Sequence, residues 1–157
     1  MNARGETDLP DSVLERLDIA IASIHMPCFK DERTIDNVTA AYEKVMEHPY
    51  VDIIGHPDDG RFPVDMKRLV KKAKETGTLL EVNNSSLRPE GFRENTKENC
   101  LEMVKECKAQ GVMIVLGSDS HVDADIAEYP YAEEILRETD FPELVAKCFT
   151  GKIKSMI

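Results

Sequence analysis

Apolar and β-branched residues gather in four short runs along this chain: DIAIAS (18–23), VDII (51–54), TLLEV (78–82) and VMIVL (112–116). The segments between them have a different rhythm. In TIDNVTAAYEKVMEH (34–48), VDMKRLVKKAKETG (64–77) and NTKENCLEMVKECKAQG (95–111), apolar side chains recur three and four residues apart. Nearly continuous apolar runs predict strands buried on both faces, and the wider spacing predicts amphipathic helices.

The predicted helix ends carry their own chemistry. Asp65 stands where an N-cap is wanted, ahead of the stripe Met66, Leu69, Val70 and Ala73. Gly77 and Gly111 stand where a left-handed C-cap suits glycine, each just before a strand. Cys100, Leu101, Val104 and Cys107 draw the buried stripe of the third helix. A last helix is predicted from about 128 to 137, and a shorter one from Pro142. Strands and helices alternating at a spacing of ~30 residues imply parallel strands joined by right-handed crossovers. The predicted class is therefore α/β, either part of a barrel or an open doubly wound sheet. No GxGxxG or GxxxxGK[ST] loop is present, which disfavours a nucleotide-binding fold.

The 157 residues make one domain, with residues 1–10 expected to be flexible. A net charge of −10 disfavours nucleic acid and anionic lipid as partners. The basic stretch MKRLVKKAK (66–74) reads as a solvated helix face. No apolar run reaches the ~20 residues of a membrane helix, and no leader pattern is evident at the start. The cysteines (Cys28, Cys100, Cys107, Cys148) form no CxxC pair, so reduced thiols in a cytoplasmic protein are expected.

Polar residues follow each predicted strand. The first leads through Ser23 to His25, the second to His56 in IIGHPDDG, and the third into EVNNSS with Glu81, Asn83 and Asn84. The fourth ends in GSDSH, with Asp119 and His121. Parallel α/β folds gather their sites at the carboxyl ends of strands. Imidazole and carboxylate are ligands for Zn²⁺ or Mn²⁺, and a bound divalent ion can activate water for hydrolysis. Taken singly, each residue also has a plain structural role. His25 and His56 could bond strand-end carbonyls, Asp119 could cap a turn, and His121 could be an exposed loop residue. His48, at a helix C-terminus, reads as structural. Glu81, Asn83 and Asn84 could simply hold loops together.

At these residues the chain resembles the PHP (polymerase and histidinol phosphatase) family, in its bacterial stand-alone phosphatase branch. IASIHMP (21–27), VDIIGHPDDGRFPVD (51–65), LLEVNNSSLRP (80–89) and VLGSDSH (115–121) carry the resemblance, with DFPELV (140–145) after them. The family implies a distorted TIM-like (β/α)7 barrel, a trinuclear zinc or manganese centre and hydrolysis of phosphate monoesters by metal-activated water. By matching motif, His25, His56, Asp119 and His121 are the implied metal ligands, with Asp119 and His121 nearest the chemistry. Arg61, Asn84 and Arg88 are candidate substrate contacts.

The family's opening HxH motif and a bridging glutamate have no counterpart in this sequence. The resemblance thus implies the C-terminal part of the barrel, about four parallel strands, with an incomplete metal site: mononuclear or empty. Four strands cannot close a barrel. Two unpaired edges and an uncovered apolar concave face are expected, covered by a homo-oligomer or by a missing N-terminal segment. The alternative function is a catalytically impaired remnant acting as an oligomeric or metal-binding module.

Overall fold

The computed structural model describes residues 1–142 and 144–146. Four strands, β1 (Ile21–Ala22), β2 (Ile53–Ile54), β3 (Leu79–Asn83) and β4 (Ile114–Gly117), form one all-parallel sheet in the order β1-β2-β3-β4. The helices are α1 (Asp11–Leu14), α2 (Ile35–Val45), α3 (Met66–Thr76), α4 (Thr96–Gln110) and α5 (Pro130–Glu138), with a 3-10 turn at Asp123–Asp125. The α/β expectation holds. The strand order runs without the reversal that a doubly wound sheet requires.

The caps explain why the helices start and stop where they do. Thr34 accepts a hydrogen bond from the Asn37 N–H, and Asp65 accepts one from the Arg68 N–H. Gly77 and Gly111 close α3 and α4 at φ of 75° and 71°, a conformation that penalises any residue with a Cβ. Helix α3 buries Met66, Leu69, Val70 and Ala73 and turns its lysines outward. Each larger side chain in such a stripe contributes about 1.5–3 kcal/mol on full burial. In α4 the stripe is Cys100, Met103, Val104 and Cys107, with Leu101 only half-buried.

Alternate strand residues serve two layers. Ala22, Ile54, Leu80, Val82 and Ile114 join the helix residues in the main core. Ile53, Leu79 and Val115 face the other way and form a smaller cluster with Met113 and Ala146. Where the sequence predicts a bare apolar face, the structure thus has a covered one, except at its β1 margin. There Ile21 is 58% exposed, with Leu9, Val13, Leu17 and Ile19 exposed nearby in the sequence.

Two further expectations need correction. The helix predicted from Pro142 is not seen over residues 144–146, which instead lie beside β4. The Ile114 N–H donates to the Leu144 carbonyl and the Ala146 N–H to the Ile114 carbonyl, with Val145 in a parallel bridge. The unpaired edge of β4 draws these groups into register, because buried backbone donors and acceptors require partners. Cys148 and the remainder of the predicted helix lie outside the described residues. Strand β1 is also shorter than the run 18–23, because Ala20 donates its N–H to the Asp52 carboxylate instead of a ladder carbonyl. Near the start, Met1 packs into the main core.

Candidate functional site

All four strands point the same way, so their exits share one end of the sheet. His25 follows β1 and His56 follows β2. Their rings meet edge to face, with centroids 5.0 Å apart. Ser23 Oγ and His25 Nε2 share a hydrogen bond of 3.0 Å. His56 has φ of 36°, and its N–H donates to Glu81 Oε2 at 2.8 Å. Burial first, then the neighbouring Arg93 and His25, lowers the His56 pKa to about 4. His25 is lowered as well, by burial and by Arg93. Both rings are therefore neutral at neutral pH. His56 Nδ1 is buried without a partner among the described residues.

Glu81 reaches the same place from β3. Its side chain is buried, and it also accepts from Asn83 Nδ2 at 3.2 Å. Burial raises its pKa. Gly117 on β4 leaves room for it: a Cβ there would collide with the Glu81 carboxylate, which would have to shift.

Asp119 leaves β4 at φ of 47° and accepts from Arg93 Nη2 at 3.2 Å. Arg93 is the hub of the mouth. With its side chain only 8% exposed, it also donates to Ser86 Oγ at 2.6 Å and to Asn83 Oδ1 at 3.3 Å, and its Nε lies 3.9 Å from Asp59 Oδ2. Sequence reasoning missed it. Arg93 sits in an unpatterned stretch, and only the fold carries that stretch back across the strand ends.

The remaining candidates fall out as follows. His121 is exposed, and its Nδ1 donates to the Asp119 carbonyl at 3.0 Å. Arg61 is clamped by Asp59, with Nε at 2.9 and 3.1 Å from the two carboxylate oxygens. Arg88 pairs with Asp125 at 2.6 Å. Asn84 is buried, and its Oδ1 accepts from the N–H groups of Tyr131 and Ala132. That is a cap for α5, whose own N-cap residue, Tyr129, supplies none. His48 bonds the Asp11 carboxylate and the Tyr50 N–H, in keeping with a structural role.

The structure thus brings together His25, His56, Glu81, Asp119 and Arg93, and leaves His121 at the margin. The cavities follow this only in part. A groove of about 330 Å³ touches His25 and runs along β1, and a pocket of about 270 Å³ borders Arg93. Two larger depressions lie elsewhere, between charged helix faces and near α1. Charge and orphaned polar atoms mark the mouth better than volume does.

A trinuclear centre does not fit the residues present. Among the described residues, no three His, Cys, Asp or Glu side chains stand together as a metal-holding group. The facing imidazoles and the unpartnered His56 Nδ1 are suitable donors. Asp119, however, is held by Arg93, and His121 by a carbonyl.

Comparison with known proteins adds the next observation. The chain is 47% identical over 140 residues to a "probable phosphatase" of Clostridium novyi, covering 89% of this chain and 56% of the relative. It is 39% identical over 158 residues to one from Thermoanaerobacter sp., covering 100% of this chain and 64% of the relative. A third, from Acetivibrio thermocellus, is 40% identical over 154 residues, with 98% and 62% covered.

The chain is similar to proteins named as phosphatases.

It spans 56–64% of the length of these three. No family model matches it. Around the strand exits and the loops beyond them, the carboxylates Asp59, Asp119 and Asp125 are each paired with an arginine. Burial meanwhile drives Glu81 and Asp58 toward their neutral forms. A chain of net charge −10 therefore presents a mouth that an anion can approach.

Proposed function

We propose that this chain is part of a phosphate-monoester hydrolase of the PHP kind, its four strands being one portion of a (β/α)7 barrel wall. The observation that carries the reading is the meeting of His25 and His56 at the strand exits, with Asp119 tied to the same rim through Arg93. The names of the relatives support the phosphatase part, and the four motifs in order support the family.

In this reading a small phosphorylated substrate lies across the mouth, and neither nucleic acid nor membrane is a partner. The chain's own residues act by position. Neutral imidazoles of His25 and His56 offer nitrogens that can accept a proton or a metal. Arg93 holds Asp119 in place, and the buried Glu81 fixes the backbone of His56. Zinc or manganese belongs to the proposal, with His25 and His56 giving two ligands; Asp119 and His121 would have to turn from their present partners to join them. A further segment or a second copy would cover the β1 margin.

The second reading is an impaired remnant serving as an oligomeric or metal-binding module. The lack of a three-ligand group among the described residues favours it. Turnover of p-nitrophenyl phosphate with added Mn²⁺ or Zn²⁺, alongside elemental analysis, separates the two. Activity above a His56→Ala control is the expected result. A metal-free, inert protein would give the case to the remnant.

A further inference from the structure

Met26 directly follows His25 and is 47% exposed. Among the described residues it is the one exposed methionine: Met1, Met46, Met66 and Met103 are buried, and Met113 is half-buried. Its sulfur carries a cation. Arg33 Nη1 donates to Met26 Sδ at 3.0 Å, and the same nitrogen lies 3.4 Å from the Arg61 carbonyl oxygen. The guanidinium carbon of Arg33 is also 5.7 Å from the centre of the Phe62 ring, which meets Phe29 edge to face at 5.9 Å. Arg33 thus crosses from the loop after β1, which carries His25, to the loop after β2, which carries His56. The sulfur is the weak point of that crossing, because a thioether is a poor hydrogen-bond acceptor.

We propose that Met26 is an oxidation site, and that its sulfoxide fastens the two loops together through Arg33. A peroxide supplies the oxygen. A lone pair of Sδ attacks one peroxide oxygen, the O–O bond breaks as the S–O bond forms, and the second oxygen leaves with both protons as water. Sulfur gives up two electrons and the peroxide takes them. The product sets a strongly polar oxygen where a thioether stood, and a guanidinium bonds such an acceptor more tightly. Met26 lies at the surface, so its new polarity costs no burial, whereas a sulfoxide in the core would disrupt packing. The inference does not depend on what the mouth binds.

The test uses the full chain with Cys28→Ser, so that this exposed thiol takes no part. The chain is treated with hydrogen peroxide, and peptide mass spectrometry finds which residues gain oxygen. Met26 is expected to be oxidised ahead of the other described methionines. Amide exchange is then followed over residues 26–33 and 57–62, where the oxidised chain should exchange up to about tenfold more slowly than the reduced one. Methionine sulfoxide reductases should reverse the change. Arg33→Ala, checked for folding by circular dichroism, should oxidise as readily and show no slowing. Exchange that is unchanged or faster after oxidation, or equal slowing in Arg33→Ala, overturns the fastening. Oxidation that spares Met26 until the chain unfolds overturns the site itself.

Discussion

His56 and Asp119 both hold positive φ, a conformation that costs a residue with a Cβ roughly 1–2 kcal/mol. The contacts that keep them there are side-chain ones, Glu81 on the His56 N–H and Arg93 on the Asp119 carboxylate. Two residues beyond His56, Asp58 is fully buried, its carboxylate oxygens without a partner among the described residues, and burial lifts its pKa to about 7. The folded state thus holds a proton on Asp58 that the unfolded state releases above the ordinary value of 3.8, so stability falls as pH rises from there to about 7. His56 works in the opposite direction: the unfolded chain takes up a proton below 6.5 and the folded one only near 4, so stability falls as pH drops through that interval. The two slopes oppose each other across most of the same span. Asp58→Asn should therefore raise Tm at pH 8, by at most roughly 4 kcal/mol in stability, with no gain below pH 4. Relative to the wild type, stability of the variant should climb between pH 4 and 6.5. Thermal denaturation across a pH series reads both effects.

Among the elements, the ends of helices and strands carry the most information. Asn84→Ala removes the acceptor for two α5 N–H groups and should cost about 1–2 kcal/mol in urea unfolding. Gly111→Ala and Gly117→Ala separate two reasons for glycine. At Gly111 a Cβ meets nothing within 4 Å, and only the left-handed backbone resists, for about 1 kcal/mol. At Gly117 the backbone is unremarkable, but the Glu81 carboxylate must move. The second variant should disturb the His56 amide resonance, and the first should not. The helices were legible in the sequence because Asp65, Gly77 and Gly111 act locally. So were the strand exits, since His25, His56 and Asp119 each directly follow an apolar run. Asn84 as a cap for α5 and Arg93 as a hub were not legible, because their partners lie 47 or 48 and 26 residues away in sequence. The pairing of residues 144–146 with β4 escaped for the same reason.

For the whole molecule, the margin beside β1 decides behaviour in solution. Leu9, Leu17, Ile19 and Ile21 are exposed there and line the groove of about 330 Å³. Apolar surface beside an open sheet edge favours association. Light scattering at micromolar concentration should give a mass above the 17.7 kDa of one chain, and Ile21→Lys should bring it down toward that value. A monomeric wild type would remove self-association from the account and leave coverage by further chain as the proposal.

The ladder between β3 and β4 pairs four residues, whereas β1 with β2 and β2 with β3 pair two each. Amide deuteration should therefore be quick around Ile21 and Ile53 and slow around Leu80 to Leu116. His25 and His56 ride on the quickly exchanging half, and Glu81 and Asp119 on the slow one. Breathing of the protein would part the imidazoles from the carboxylates along the β2–β3 seam, so any ligand bridging the two sides would act as a staple and slow the exchange of both short strands.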